Sequence, residues 1–192
     1  STPDGPVSAR LSLPGLHNVY NATAAAAAAH ALSISPDRIS EALAHTQAAF
    51  GRSERVTVRG REVVLLLVKN PAGANEVVRT LTAGGPPRFV VVALNDDIAD
   101  GRDVSWIWDV DFEPLLEGLE RLVATGSRAQ ELALRFKYGG LDPDAIEVVP
   151  RLEQALDRGL ELTPAGGELV VLPTYTDKLA LRRIVAERCH VR

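Results

Sequence analysis

The sequence predicts an α/β protein built on a mainly parallel sheet. Three observations carry this expectation. The runs "VVLLLV" (63–68), "RFVVVAL" (88–94) and "GELVVLP" (167–173) are short and continuously apolar, the pattern of strands buried on both faces. Each is followed by a segment with helical periodicity. Glycine and proline punctuate the junctions. Alternating strands and helices of this kind give a Rossmann-like layer structure, with helices on both sides of the sheet.

The elements follow in order. Residues 1–6, "STPDGP", read as a flexible lead-in. "VSARLSL" (7–13) alternates like a short strand. "PGLHNVYNATAAAAAAHAL" (14–32) turns helical, and its six consecutive alanines favour a helix that packs closely. "SPDRISEALAHTQ" (35–47) is a second helix, with Ser35 as N-cap, Pro36 at its first position, and Ile39, Ala42 and Leu43 on one face. "AFGRSERV" (49–56) breaks the pattern and marks a boundary, with 51–55 as linker. A strand-helix-helix unit over 7–50 therefore precedes a Rossmann-like domain over 56–192.

Within that domain "VTVRGREVVLLLV" (56–68) is hairpin-like and runs into a buried strand. "NPAGANEVVRTLTAGG" (70–85) is a helix closed by glycines. "RLVATG" with "SRAQELALRFKYGG", "AIEVVP" with "RLEQALDRGLELT", and "GELVVLP" with "TYTDKLALRRIVAERC" repeat the strand-helix unit. In such sheets ligands sit beyond the C-terminal ends of the strands.

Composition narrows the function. A net charge of -4 argues against nucleic-acid binding as the main activity. No apolar run reaches the length of a membrane span, and the N-terminus lacks a signal-peptide layout. A lone Cys189 builds neither an internal disulfide nor a paired-cysteine zinc site, so the default setting is reducing and cytoplasmic. The chain contains no Met, even at position 1, which predicts a start at a cleavage point or an engineered boundary. Neither a P-loop nor a G-x-G-x-x-G element occurs. His17, His30, His45 and His190 have no metal-ligand spacing.

One stretch stands apart. "LNDDIADGRDVSWIWDVDFE" (94–113) gathers seven carboxylates and both tryptophans directly after a predicted strand. Calcium binding fails as an explanation. With Gly101 at the sixth position of an EF-hand loop, Ile98 and Ile107 fall where oxygen ligands are required. A solvated loop with Asp100 or Asp103 as helix caps accounts for the aspartates, but Trp106 and Trp108 need burial or a partner. Elsewhere, Asn18 and Asn21 are placed either to cap a helix or to meet a purine edge. Lys69 and Asn70 precede a helix N-terminus, where a phosphate or a simple turn fits. Arg128 and Arg135 lie two turns apart on one helix and suggest a shared, anion-facing side.

These segments carry a resemblance. "LPGLHNVYNATAAAAAA" resembles the end of the central, ATP-binding domain of Mur ligases, where Gly-x-His-Asn-x-x-Asn opens an alanine-rich helix. "LVKNPAGANEVVR", "DGRDVSWIWD", "TGSRAQELALRFKYGG" and "LPTYTDKLALRR" together resemble the C-terminal domain of the Mur-ligase-like subunit of lipid II isoglutaminyl synthases. The resemblance covers nearly all of 7–188.

It implies an ATP-dependent carbon-nitrogen ligase in a two-subunit amidotransferase. A glutaminase partner releases ammonia. The Mur-ligase-like subunit uses ATP with Mg2+ to activate the D-glutamate α-carboxylate of lipid II at the inner membrane face, and ammonia gives D-isoglutamine. It further implies that Asp103 completes a Cys-His-Asp triad whose Cys and His belong to the glutaminase. Asn18, Asn21 and Asn70 would line the nucleotide edge. The family's P-loop and zinc ribbon lie in the earlier domain and are not in this chain, so this chain alone is expected to be inactive. The alternative is a conventional ATP-dependent amino-acid ligase of Mur or folylpolyglutamate type, with no ammonia and no partner. A third possibility is an inactive Mur-like binding module.

Overall fold

The computed structural model describes residues 2–3, 5–11, 15–46 and 54–190. The chain divides into two compact units, residues 1–50 and 51–192.

In the first unit α1 spans Leu16–Ala31 and α2 spans Pro36–Ala44. Proline at the first position of α2 gives up only an amide that has no helical partner there. Ser35 holds the N-cap position, but its side chain makes no capping bond. Ile39 is the buried anchor of α2, whereas Ala42, expected beside it, is exposed. The strand expected at 7–13 is not formed over 7–11, and 12–13 lie outside the described residues. Among the described residues this unit holds no strand of ordinary length to pair with, and a lone strand leaves its amides and carbonyls unsatisfied. The lead-in closes into a turn, with Thr2 and Gly5 exchanging backbone bonds of 2.8 and 3.1 Å.

The second unit opens with a hairpin: β1 (Glu54–Val58) pairs antiparallel with β2 (Arg61–Leu65). Arg59 and Gly60, at φ 49° and 73°, form the two-residue turn whose twist suits a hairpin. That turn sets the register, so Glu54 and Arg55, expected in the linker, pair with Leu65 and Val64 instead. The buried strand ends sooner than the apolar run, but the ladder continues from the Leu66 and Val68 amides to β6.

Next come α3 (Pro71–Thr82), β3 (Phe89–Ala93), a 3-10 helix (Ser105–Asp109) and α4 (Glu113–Leu116). Then follow β4 (Arg121–Thr125), α5 (Ala129–Tyr138), β5 (Ile146–Val148), α6 (Leu152–Leu162), β6 (Glu168–Pro173) and α7 (Tyr175–His190). Among the described residues six strands form one sheet in the order β1-β2-β6-β3-β4-β5. Every pairing except β1–β2 is parallel. The predicted α/β class with a mainly parallel sheet is thus what forms.

Side-chain alternation explains the two cores. Val90, Val92, Leu122, Ala124, Val170 and Leu172 face one side, against α3, α4 and α5. Val91, Val123, Leu169 and Val171 face the other, against α6 and α7. Burying each Val or Leu contributes about 1.5–3 kcal/mol, so both layers hold the sheet. Parallel pairing has one consequence for function. The loops after β2, β3, β4 and β6 all emerge at the same edge.

Candidate functional site

The edge is built around a glycine. Gly126, at φ +96°, lies so close to β3 that a Cβ there would sit 2.3 Å from the Leu94 carbonyl oxygen. That closeness lets the turn after β4 bond to the end of β3. The Ser127 amide donates to Asn95 Oδ1 at 2.7 Å, and the Arg128 amide donates to the Leu94 carbonyl at 3.0 Å. The Ser127 hydroxyl donates to Asp96 Oδ1 at 2.7 Å, and Arg128 Nη1 donates to Asp96 Oδ2 at 3.1 Å. The Ser127 bond, then the Arg128 bond, hold the Asp96 carboxyl below its usual range. Arg128 also pairs with Glu131.

The acidic stretch then folds by using its carboxylates one at a time. The Asp97 carbonyl accepts the amides of Asp100 and Gly101, both at 2.9 Å, which closes a tight turn. Asp100 is buried, and its Oδ1 accepts the Thr176 amide at 2.9 Å, so it caps α7 from 76 residues away. Asp103 Oδ1 accepts the Ser105 amide at 2.9 Å at the start of the 3-10 helix. The Ser105 side chain and amide hold the Asp103 carboxyl below its usual range, so it is ionised at neutral pH. Asp103 remains exposed.

The tryptophans divide the expected roles. Ile107 is buried, and Trp106 is half-buried against the same core. Trp108 is 51% exposed and meets the ring of Tyr138 at 6.1 Å. Beneath them lies Arg135, whose side chain is only 6% exposed. Its Nε donates to the Ile107 carbonyl at 3.1 Å and its Nη2 to the Val110 carbonyl at 2.6 Å. Both ends of its fork also reach Glu113, at 2.9 and 3.1 Å. The Arg135 bond holds the Glu113 carboxyl below its usual range.

This corrects the expectation that Arg128 and Arg135 share an anion-facing side. Both guanidiniums are already paired to carboxylates, and Arg135 points into the interior. The signal missed in the sequence was the apolar company of Arg135 on α5, between Leu132 and Phe136, which marks a buried position.

An open groove of about 280 Å³ runs beside Asp103, lined by Arg102, Ser105, Ile107, Trp108, Arg128 and Glu131 among others. It offers an oriented carboxylate, the Arg102 guanidinium and an indole face. That combination suits the reception of a partner side chain able to donate to Asp103.

None of the other predicted residues lines this groove. Asn18 and Asn21 sit on α1, half-buried and exposed respectively. Asn70 caps α3, with its Oδ1 accepting the Gly73 amide at 2.8 Å, and Lys69 beside it is exposed. A polar group that the sequence did not single out lies at the same sheet edge. Asp177, in the first turn of α7, is buried, and burial is the main cause of its raised pKa. Asn95 opposes that shift, while Asp100 and Asp97 add to it. Among the described residues no group of three or more His, Cys, Asp or Glu side chains is arranged to hold a metal ion. No described helix is long and apolar enough to cross a membrane.

Comparison with known proteins places this geometry in a family. Residues 67–177 match the family model described as MurT ligase C-terminal. The MurT subunit of lipid II isoglutaminyl synthase (glutamine-hydrolyzing) from Streptococcus pneumoniae is 35% identical over 183 residues, covering 95% of this chain and 40% of that protein. The chain thus spans about two fifths of the length of that relative. Among solved structures, the MurC ligase of Thermotoga maritima superposes with a TM-score of 0.68 at 17% identity, covering 96% of this chain and 40% of that one. Folylpolyglutamate synthase of Mycobacterium tuberculosis, complexed with ADP and AMPPCP, gives 0.66 at 23% identity, covering 92% and 41%. These two likenesses establish the shared fold. With a match across more than half of its length and the sheet edge just described, the chain belongs to the MurT ligase C-terminal family.

Proposed function

We propose that this chain is the C-terminal part of the ATP-dependent ligase subunit of a lipid II isoglutaminyl synthase. In that reaction ATP activates the D-glutamate α-carboxylate of the lipid II stem peptide as an acyl phosphate. Ammonia attacks the acyl carbon, phosphate leaves, and D-isoglutamine forms. The ammonia comes from glutamine, hydrolysed by a separate glutaminase subunit, and the work is done at the cytoplasmic face of the membrane. ATP with Mg2+ belongs to the full subunit, where Asn18, Asn21 and Asn70 sit at the nucleotide edge. Asn70 already spends its oxygen on capping α3, which leaves its amide nitrogen for such a contact. Zinc belongs to the earlier domain of the full subunit.

In this proposal Asp103 serves in trans, as the third member of a Cys-His-Asp triad completed by the glutaminase. Such a carboxylate fixes the imidazole tautomer and stabilises the imidazolium as the thiolate forms. The observation that supports this role most directly is that Asp103 is both exposed and oriented by the Ser105 amide, at the mouth of the Trp108 groove.

The test is Asp103→Asn in the full two-subunit complex. The amide keeps the size but favours the wrong tautomer and carries no charge. Glutamine hydrolysis should fall about 10²–10⁴-fold with assembly intact. Amidation driven by free ammonia should persist, because it bypasses the glutaminase. Asp97→Asn and Asp109→Asn, both at exposed positions, should cost far less. Parent-like hydrolysis by Asp103→Asn, or an equal fall in ammonia-driven amidation, overturns the assignment. A conventional amino-acid ligase would instead accept an amino acid and ignore ammonia.

A further inference from the structure

The 3-10 helix Ser105–Asp109 carries a mechanical problem. It has five residues, poor hydrogen-bond geometry of its own, and last carbonyls with no helical partner. Yet its first amide is the group that orients Asp103. A helix this short does not hold a carboxylate still unless something holds the helix.

Arg135 supplies the hold. Its guanidinium reaches across from α5 to the Ile107 and Val110 carbonyls, one within the 3-10 helix and one just past its end. At a rise of about 2 Å per residue, the Ile107 tie lies about 4 Å along the axis from the Ser105 amide. The Phe112 ring lies 5.5 Å and the Trp108 ring 5.8 Å from the guanidinium carbon. Glu113 neutralises the buried charge through both ends of the fork. A planar, forked donor meets four acceptor atoms at once, two carbonyl oxygens and both oxygens of a carboxylate; an ammonium has only three donors, all at one point.

We propose that Arg135 is a positioning residue for Asp103: by clamping the Ile107 and Val110 carbonyls it fixes the 3-10 helix whose Ser105 amide aims Asp103 at the partner's histidine. The inference rests on the triad assignment of Asp103 and goes beyond it. Arg135 touches neither glutamine nor the reacting sulfur. Its effect reaches the reaction only through the aim of one carboxylate.

The experiment uses the full two-subunit complex with Asp103→Asn, Arg135→Lys and the double variant side by side. Arg135→Lys should lower kcat for glutamine hydrolysis about 10- to 100-fold, the scale expected when a catalytic group is displaced by about 1 Å. The KM for glutamine should stay within about twofold, because glutamine binds the partner, and ammonia-driven amidation should persist. Hydrogen exchange at the Ser105 amide should quicken in Arg135→Lys. The double variant should hydrolyse glutamine no more slowly than Asp103→Asn alone, since a misplaced carboxylate matters only while it is there.

The failures are distinguishable. If Asp103→Asn collapses hydrolysis while Arg135→Lys behaves as the parent, the positioning role is wrong and the triad assignment stands. If the two losses multiply, Arg135 acts by another route and the inference falls. If Asp103→Asn is itself parent-like, both fall together. Should Arg135→Lys not fold, Glu113→Gln carries the same test, since Gln keeps the size and one acceptor for the fork and Glu113 itself is half-exposed. It should lose about three- to tenfold in kcat by the same displacement argument, and again nothing further in combination with Asp103→Asn.

Discussion

Replacing Gly126 by alanine tests whether the close approach between the β4 turn and β3 is real. Three contributions act at this position. At φ +96° a side chain costs about 1–2 kcal/mol in backbone strain. The new Cβ would stand 2.3 Å from the Leu94 oxygen, 2.7 Å from Asn95 Oδ1 and 2.9 Å from the Leu94 carbon, and relieving such overlap costs about 1–3 kcal/mol. The Leu94 oxygen moves only by lengthening its bond from the Arg128 amide, and Asn95 Oδ1 only by lengthening its bond from the Ser127 amide; about 1 kcal/mol is at stake in each. Alanine also restricts the unfolded chain, which offsets about 0.4–1 kcal/mol. The expected net loss is about 3–7 kcal/mol, a large share of the 5–15 kcal/mol typical of a domain. Urea unfolding followed by tryptophan fluorescence reports it, because Trp106 and Trp108 lie at the same edge. Gly140→Ala is the matched control. Gly140 has φ +105° but nothing within 4 Å of an added Cβ, so only the strain of about 1–2 kcal/mol applies, less the same unfolded-chain offset. If the two substitutions cost the same, the close contact contributes nothing and the account of this turn is wrong.

Asp177→Asn should stabilise the protein at neutral pH. The raised pKa of Asp177 means that its favourable contribution is present below the unfolded-state value near 3.8 and is lost as pH rises through the folded value. The variant's advantage over the parent in urea midpoint should therefore be largest near pH 7.5 and shrink toward pH 4; an advantage independent of pH refutes it. Asn70→Ala removes the α3 cap and should cost about 1 kcal/mol, or about 2–4 °C in Tm for a chain of this size, by thermal melting. An unchanged melting temperature would show that the cap is already replaced by water.

The sheet was legible because its signal is local. A run such as "RFVVVAL" needs nothing distant to identify it as a strand buried on two faces, and β3 is buried at each of its five positions. The hairpin turn at Arg59 and Gly60 is likewise local; the cap at Asn70 is local too, although its sequence fitted a phosphate contact or a simple turn equally. The strand expected at 7–13 does not form over 7–11 for the converse reason. Alternation describes a surface that suits pairing, but pairing needs a partner, and the described residues of that unit supply none. The site was legible only in part. Asp103 was singled out by the family resemblance alone, since the residues by themselves fitted a helix cap, and the groups that orient the stretch lie far along the chain. Arg135 meets Glu113 across 22 residues, Asn95 meets the Ser127 amide across 32, and Asp100 meets the Thr176 amide across 76. Helical spacing put Arg128 and Arg135 on one side of a helix; it carried no information that Arg128 would stand at the N-cap of α5 or that a 3-10 helix would pack over Arg135.

The arrangement answers why a mildly acidic chain collects seven carboxylates beside its tryptophans. They are not a pool of negative charge. Asp96 is paired with Arg128, Asp100 is buried at the head of α7, and Glu113 is bound to Arg135. Asp97, Asp109 and Asp111 are exposed, and the folding role seen for Asp97 and Asp111 runs through the backbone. Asp103 alone of the seven is exposed with its side chain oriented by an amide and free of any arginine. The paired carboxylates fix the path of the loop, and the tryptophans fill the space that the path encloses on one side and present an indole on the other. The cost of burying Arg135 is met by two carbonyls and Glu113, and in the arrangement proposed above what it secures is the direction of a single carboxylate at the surface. A loop that only needed to be soluble would have no use for that construction. A loop that completes another protein's catalytic site, the role proposed for Asp103, would.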